Sequence, residues 1–472
     1  MLGLFGTLNL ASRSLQTQMT GVEVTGQNLA NVNTTGYTRQ SVDIQTSPDI
    51  STTLGQEGTG ANAVAIQQVV NAILNGQIQS QQSTSGYWNA QQTALQSAQT
   101  GLDEFLNGTG SATSSTNSTT DTGLSGQLSG LFSAFQAVAT SPTSVAARQA
   151  LVSSAQTLAS TFNQVNAQLD ASRTLLNTSL GNDVDSANKL ISGIADLNQQ
   201  ISTAEFTGAT PNDLLDEREQ DLENLSGLTN ITTSTGTNGA VDVSIGGQTL
   251  VSGNQVLDTL QTYDAGGGQL LVQTATGGVN LTLTGGSMQG TIDARDGELA
   301  TMQGSINTLA STLITQVNTI HGGGYSLTGT TGANFFNGSD AATITVNAAL
   351  VGNPSLIQAS GTSTATGDNS VALQLADLSS ATQSGLNNQT FGDSYDQTVA
   401  ALGDSLQTAN DQVNNQTAVS NMLSTQRSSV SGVNVDQEMT NLMSFQRAYE
   451  ASAQLVTTLN TLLGDTLAMK NS

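Results

Sequence analysis

The sequence predicts a mainly α-helical chain with an inserted β-domain. Its terminal helices pair as a coiled coil, its body is an elongated helical bundle, and a small antiparallel β-domain lies in the middle. Three observations indicate this fold class. Apolar residues at both ends recur at the three- and four-residue steps of an amphipathic helix. The apolar period changes to two after residue 231. Helical periodicity returns at residue 287 and resumes near residue 371.

The N-terminal helix has an apolar stripe that ends before Gly36, since glycine commonly stops a helix. Its positions are Leu4, Leu8, Ala11, Leu15, Met19, Val22, Leu29 and Val32. The C-terminal stripe comprises Val435, Met439, Leu442, Phe445, Tyr449, Ala453, Val456, Leu459, Leu463 and Leu467. Because neither helix can bury its stripe alone, we expect the two to pack on each other and make the chain a hairpin of nested domains.

Helical patterns also fill most of the first half of the chain. They cover 64–106, 123–139, 144–180, 186–204 and 211–225. We expect Thr210 to cap the last of these helices, with Pro211 at its first position and Asp213 as the acidic partner of the cap. Ser and Thr residues fill 108–122 and predict a flexible loop.

Glycine pairs separate the alternating runs between 231 and 285, which is typical of hairpin turns in a small antiparallel domain. The segment 322–370 is irregular with a short strand. The predicted division is a terminal coiled-coil domain (1–60 with 430–472), a helical body (61–230 with 286–321 and 371–429), a β-rich domain (231–285) and an irregular insertion (322–370).

Composition excludes several classes of partner. The net charge of −25 repels phosphate backbones and anionic lipids, and the only lysines are Lys189 and Lys470, so we expect no nucleic-acid partner. No run of about 18 apolar residues occurs, which argues against membrane insertion. The N-terminus lacks the basic and apolar regions of a Sec signal. The chain has no cysteine and therefore no disulfide or thiolate metal site.

Residues that could support catalysis, cofactor binding or metal binding are sparse. His321 is the only histidine, which excludes two-histidine metal sites, and we expect a structural or surface role for it. Neither lysine follows a glycine, so there is no phosphate-binding loop. The acidic residues between 213 and 223 are interpreted as a solvated helix face, and the calcium-loop match at Asp183 is weak. The sequence thus predicts no enzyme, no cofactor and no metal.

The informative motifs lie at the two ends. Residues 29–40 read LANVNTTGYTRQ, and residues 431–463 read SGVNVDQEMTNLMSFQRAYEASAQLVTTLNTLL. The first resembles the N-terminal signature of the flagellar rod, hook and hook-associated axial proteins, and the second resembles their C-terminal signature. Internal segments such as PNDLLDEREQDLENLSGL and GGSMQGTIDARD resemble the helical body of the hook-associated members that form the hook–filament junction.

The resemblance implies a structural protein, exported by the flagellar type III apparatus and located in the extracellular flagellum. It implies self-assembly into a ring, with the terminal helices lining an inner tube and the β-domain facing outward. Implied partners are the hook protein, the next hook-associated protein on the filament side and an export chaperone. The implied subunit contacts are Asn31, Thr35, Gly36, Tyr37 and Arg39 in the N-terminal motif, and Asn434, Asp436, Glu438, Leu442, Phe445, Tyr449 and Leu459 in the C-terminal motif.

Three alternatives stay open at this point. The nearest is another axial protein, such as a hook, distal rod or flagellin-like protein. A surface adhesin is suggested by the Gly, Ser, Thr and Asn content, although an adhesin would be expected to have an export signal and strands at its ends. An axial protein with a wall-cleaving domain would need paired carboxylates in a separate module.

Overall fold

The computed structural model describes residues 3–52, 55–106, 123–236 and 239–470. The predicted loop at 108–122 lies outside these ranges. Within them the α-helices are α1 (Leu4–Ala30), α2 (Ala72–Leu106), α3 (Leu124–Thr140), α4 (Val145–Phe206), α5 (Asn212–Leu228), α6 (Gly286–Asp293), α7 (Ala300–Gly322), α8 (Ala348–Gly352), α9 (Ser370–Asp377), α10 (Phe391–Ser431) and α11 (Val435–Lys470). A π-helical turn, Ala294–Leu299, joins α6 to α7. None of the described helices is both long and apolar enough to cross a membrane.

The strands form small antiparallel sheets. They are β1 (Gln40–Thr46), β2 (Ile50–Thr52), β3 (Gly55–Glu57), β4 (Ala61–Gln68), β5 (Ile231–Thr235), β6 (Val241–Ile245), β7 (Gln248–Ser252), β8 (Gln255–Val256), β9 (Leu260–Asp264), β10 (Leu270–Thr274), β11 (Phe336–Asn337) and β12 (Thr345–Val346). The middle of the chain forms the four-stranded sheet β5-β6-β7-β8 and the hairpin β9–β10. The predicted class, mainly helical with an inserted β-domain, is therefore confirmed.

Helix α4 is the spine of the body. Its 62 residues extend roughly 90 Å at 1.5 Å per residue. The first half packs with α3, α7, α9 and α10 in one hydrophobic core, and the second half packs with α5, α6 and the β-domain in another. The predicted break between 180 and 186 was wrong. Leu180, Val184, Ala187 and Ile191 are buried on one face, and this burial keeps Gly181 helical.

Asparagines on α4 attach the β-domain to this spine. Asn188 exchanges two 2.8 Å hydrogen bonds with the backbone of Leu260. Asn198, which is fully buried, donates to the carbonyls of Val241 and Gly253. A buried amide is stabilising only when its donors and acceptors are satisfied, so each of these residues fixes the position of a strand end.

The segment between α1 and α2 differs from its prediction. The pattern at 64–106 predicts one helix, but Ala61–Gln68 is strand β4, which pairs with β1. Together β1 and β4 form a two-stranded ribbon that lies along α1, where Thr17 donates to the carbonyl of Ala61. Contacts distant in sequence thus override the helical preference of an Ala- and Gln-rich segment.

Two interpretations of helix α5 are corrected. Pro211, not Thr210, holds the N-cap position, and no side chain caps the helix there. The acidic residues are not simply a solvated face. Glu223 is 6% exposed and forms an ion pair with Arg427 of α10, while Glu219 accepts a 3.0 Å hydrogen bond from Gln79 of α2.

The irregular insertion is part of the main core. Phe335, Phe336 and Ile344 are fully buried against α4 and α7. His321 at the end of α7 is also fully buried. Its Nδ1 lies 2.8 Å from the carbonyl of Ala333, and its Nε2 accepts from the backbone N–H of Gln358 at 3.0 Å. Both ring nitrogens form hydrogen bonds with backbone groups of the insertion, so the expected structural role of this histidine is confirmed.

Helices α2, α5 and α6 meet through glycines. A Cβ at Gly86 would lie 2.0 Å from the carbonyl oxygen of Gly227. We expect Gly86→Ala to lower the free energy of unfolding by about 1–3 kcal/mol, because the helices would have to move apart. The control is Gly304→Ala on α7, where no atom lies within 4 Å. It should stabilise by about 0.5–1 kcal/mol through helix propensity. Urea denaturation measures the free energy of unfolding of both variants. Equal changes in Gly86→Ala and Gly304→Ala would contradict this account.

Burial, with a smaller contribution from the nearby Arg148, lowers the pKa of His321 to about 4, although the hydrogen bond with the Ala333 carbonyl opposes this shift. In the unfolded chain this histidine has a pKa near 6.5. As the pH falls, it therefore takes up a proton in the unfolded chain before it does so in the folded chain. The stabilisation by neutral His321 is therefore complete above pH 6.5, and about 3 kcal/mol is lost between pH 6.5 and 4. NMR titration of this single imidazole should give a midpoint well below 6. Comparing denaturation of wild type and His321→Gln at several pH values isolates its contribution. A midpoint near 6.5 would refute the prediction.

Candidate subunit interface

The two ends of the chain pair as antiparallel helices, as predicted. Three contacts along α1 and α11 define the register. Ser14 Oγ lies 2.9 Å from Ser452 Oγ, Gly21 faces the ring of Phe445, and Asn28 donates to Glu438 Oε2 at 3.1 Å. Position numbers rise on one helix as they fall on the other. The terminal pair is defined here as α1 together with α11.

The side of α1 that faces α11 and the ribbon is small and polar. Its buried residues are Ala11, Thr17, Gly21, Val24, Thr25 and Asn28. A Cβ at Gly21 would lie 2.6 Å from the Phe445 ring, so the missing side chain is what permits this close approach. The two helices pack on each other as predicted, but their apolar stripes are covered only in part. Most stripe residues are half-buried, and Met19, Val435, Met439, Tyr449 and Leu467 are exposed.

Several large apolar side chains of the two helices remain exposed, both within and beside the predicted stripes. On α1, Phe5 is 75% and Met19 is 54% exposed. The large apolar residues of α11 that are at least 40% exposed are Val435, Met439, Met443, Tyr449, Leu455, Leu462, Leu467 and Met469. We call these ten residues the apolar set. At about 100° per residue, those on α11 lie on both flanks of the side that contacts α1, except Met443, which lies opposite that side. Apolar surface of this extent marks a site of protein association.

Asn28 is the polar centre of the terminal pair, and its role was missed from the sequence. It is 1% exposed and fully hydrogen-bonded. Its Oδ1 accepts from Tyr37 Oη and from the backbone N–H of Gln40, each at 2.9 Å. Its Nδ2 donates to the carbonyl of Gln40 at 2.8 Å and to Glu438. One side chain therefore joins α1, β1 and α11. The available signal was a polar residue one helical turn from the small residues of the α11-facing side.

The N-terminal motif divides into outward and inward residues. Thr35 and Gly36 are exposed, and Gly36 adopts φ +82°, which favours glycine. Asn31, at the end of α1, is half-buried. Tyr37 and Arg39 point inward. Burial and the nearby Asp213, Asp216 and Glu438 raise the pKa of Tyr37 to about 12, so its hydroxyl remains a donor to Asn28. The Nη1 atom of Arg39 lies 3.9 Å from Oε1 of Glu438.

The C-terminal motif divides in the same way. Glu438 and Leu459 are buried on the α1 side, and Leu442 and Phe445 are half-buried. Asn434 accepts from the backbone N–H of Gln437 at 3.1 Å and thereby caps the first turn of α11. A separate group, Asp436 and Tyr449, faces outward. In the described ranges no group of three His, Asp or Glu side chains converges on a potential metal site.

The chain matches three family models. They are the flagellar hook-associated protein FlgK helical domain at residues 111–336, the flagellar basal body rod FlgEFG protein C-terminal at 424–469, and the flagella basal body rod protein at 8–38. The last two cover the terminal pair, and the first covers most of the body up to β11.

Curated relatives and a solved structure agree with these models. The chain is 27% identical to flagellar hook-associated protein 1 of Bacillus subtilis over 98% of both chains. It is 25% identical to that of Salmonella typhimurium over 96% of this chain and 98% of the relative. The structure of the flagellar hook junction protein FlgK from Burkholderia pseudomallei shares the fold, with a TM-score of 0.62 and 19% identity over 75% of this chain and all of that one.

Paired terminal helices with basal-body-rod signatures, around a helical body with an inserted β-domain, define the chain as an axial structural protein of the bacterial flagellum. Within that class the chain is similar to flagellar hook-associated protein 1 (FlgK), whose helical-domain model and curated relatives it matches. The likeness spans nearly the whole chain and includes both the terminal pair and the body.

The contact between Gly21 and Phe445 can be tested in a cysteine-free background. Ser14→Cys with Ser452→Cys should form a disulfide on mild oxidation, because the wild-type hydroxyl oxygens are 2.9 Å apart. Adding Gly21→Ala should sharply reduce its yield, since the new methyl group overlaps the ring. Gly26→Ala, on the same helix with no atom within 4 Å, should leave the yield unchanged or higher. Equal yields in the two variants would show that the close approach is unnecessary.

Proposed function

We propose that this chain is a structural subunit of the junction between flagellar hook and filament, assembled there by self-association after export. The main support is the apolar set on the terminal pair. It lies on both flanks of α11, so covering it requires neighbours on two sides, as in a ring or helical array. The hook junction protein that shares this fold supports the location.

The proposal includes the partners expected from the motifs. These are further copies of the chain, the hook protein, the next hook-associated protein on the filament side, and a chaperone before type III export. The terminal pair would line the inner tube and the β-domain would face outward in the extracellular flagellum, following the four-part division given above. Proposed contact residues are Asn31, Thr35 and Gly36 at the end of α1, and Asp436, Leu442 and Tyr449 on α11.

The remaining motif residues act in the proposed interface by shaping it from within the chain. Tyr37 and Arg39 on one side, and Glu438, Phe445 and Leu459 on the other, hold the terminal pair together, and Asn434 caps the first turn of α11. The role is proposed to be mechanical and not catalytic. The sole histidine has both ring nitrogens in backbone hydrogen bonds, which removes the most common general base.

Electron microscopy of a strain that lacks this chain, with flagellin assayed in the medium, tests the proposal. We expect complete hooks without filaments, and flagellin lost to the medium. Complementation with Leu455→Glu should fail, because a charge would be buried between neighbours. The adjacent substitution Gln454→Glu places the same charge on an exposed, polar side of α11, and it should restore filaments. Both variants must be exported equally. Normal filaments without the chain would overturn the proposal.

A further inference from the structure

The loop of the signature segment 31–40 and the ribbon of β1 and β4 both contact helix α5 of the body. The backbone N–H of Thr38 donates to Asp216 Oδ2 at 3.0 Å. Gln68, the last residue of β4, donates to Asp216 Oδ1 at 2.8 Å and to the carbonyl of Asn212 at 2.7 Å. Each carboxylate oxygen thus holds a different segment. Hydrogen bonds to an ionised acceptor are stronger than neutral ones.

A second set of bonds lies beside Asp216. The carbonyl of Ile66 on β4 accepts from Thr210 Oγ1 at 2.7 Å and from Asn212 Nδ2 at 3.0 Å. Gln40 Nε2 reaches Asp213 Oδ1 at 3.4 Å. The residues expected to cap α5 therefore bind a strand instead. This use of Thr210 explains why α5 begins without a side-chain cap.

Arg39 connects the same loop to a second body helix, α10. Its backbone N–H donates to the carbonyl of Ser431, the last residue of α10, at 2.8 Å. Its carbonyl accepts from Val69 at 2.9 Å. Helix α1 packs on α11 and on the ribbon, and neither terminal helix packs along a described body helix. Covalently, the terminal pair joins the body only through 69–71 and 432–434. Without other restraints those two short connections would permit rotation.

We infer that the signature segment 31–40 works inside the chain as a joint, with Asp216 as its central acceptor, that fixes the direction of the terminal pair relative to the body. This role goes beyond the proposed place at the hook and does not depend on it. A regular array needs identical contacts at every copy, and identical contacts need one conformation of each subunit. The joint supplies that single conformation.

Spin-label distance measurements on the purified full chain test the joint. Cysteines introduced at Ser444 on α11 and Gln407 on α10, both exposed, take the labels without interference from native cysteine. We expect one narrow distance distribution in wild type. Asp216→Ala should widen it at least twofold. Glu217→Ala is the matched control, since it removes the neighbouring exposed carboxylate of the same helix, and it should leave the width unchanged.

Circular dichroism and urea denaturation check that the variants fold. Asp216→Asn, which keeps one acceptor oxygen, should give an intermediate width and covers the case in which the alanine variant unfolds. The inference would be overturned by a distance distribution that is already broad in wild type, or by one that stays narrow in both Asp216 variants. Because the assay uses isolated chains, a failure of the hook–filament proposal leaves its outcome unaffected.

Discussion

The antiparallel contact between α1 and α11 constrains the rest of the structure. Because the two ends of the chain lie side by side, every other element must leave this pair and return to it. The pair is close because its contact face is small and polar, with Gly21 beneath Phe445 and Ser14 against Ser452. A face of this kind fixes register through close approach and hydrogen bonds. It leaves much of the apolar surface of both helices facing outward.

The helical body is long although the chain has few aromatic residues, and its packing differs from that of the terminal pair. Helix α4 passes through two cores, so neither has to support the full length alone. Several of the few large rings meet where the insertion folds back, with Phe335 in tilted contact with Phe135 and in edge-on contact with Phe336 and His321. Elsewhere the helices approach through glycine, as at Gly86 and Gly227. Close approach increases the number of contacts that small side chains can make.

Periodicity predicted the elements whose burial is decided locally. The hairpin turn at Gly246 and Gly247, with φ of +55° and +82°, followed from the glycine pair, and the stripe of α4 followed from its spacing. Strand β4 could not be recognised because its residues become a strand only by pairing with β1. The continuity of α4 through Gly181 likewise depends on a core supplied by later segments. Acidity on α5 suggested solvation, since its partners Thr38, Gln79 and Arg427 are distant in sequence.

The motifs at the two ends illustrate the same limit for function. A signature beside an assembly surface is naturally interpreted as a set of contacts between subunits, and Thr35, Asp436 and Tyr449 are exposed as that role requires. Yet Tyr37, Arg39 and Glu438 make their bonds within one chain, through Asn28 and the end of α10. Sequence spacing does not distinguish these two uses, because both place polar residues just after an amphipathic helix. Only the buried position of Asn28 separates them, and burial is a property of the folded chain. The direction in which the apolar set is presented therefore depends on residues that need not touch a neighbour.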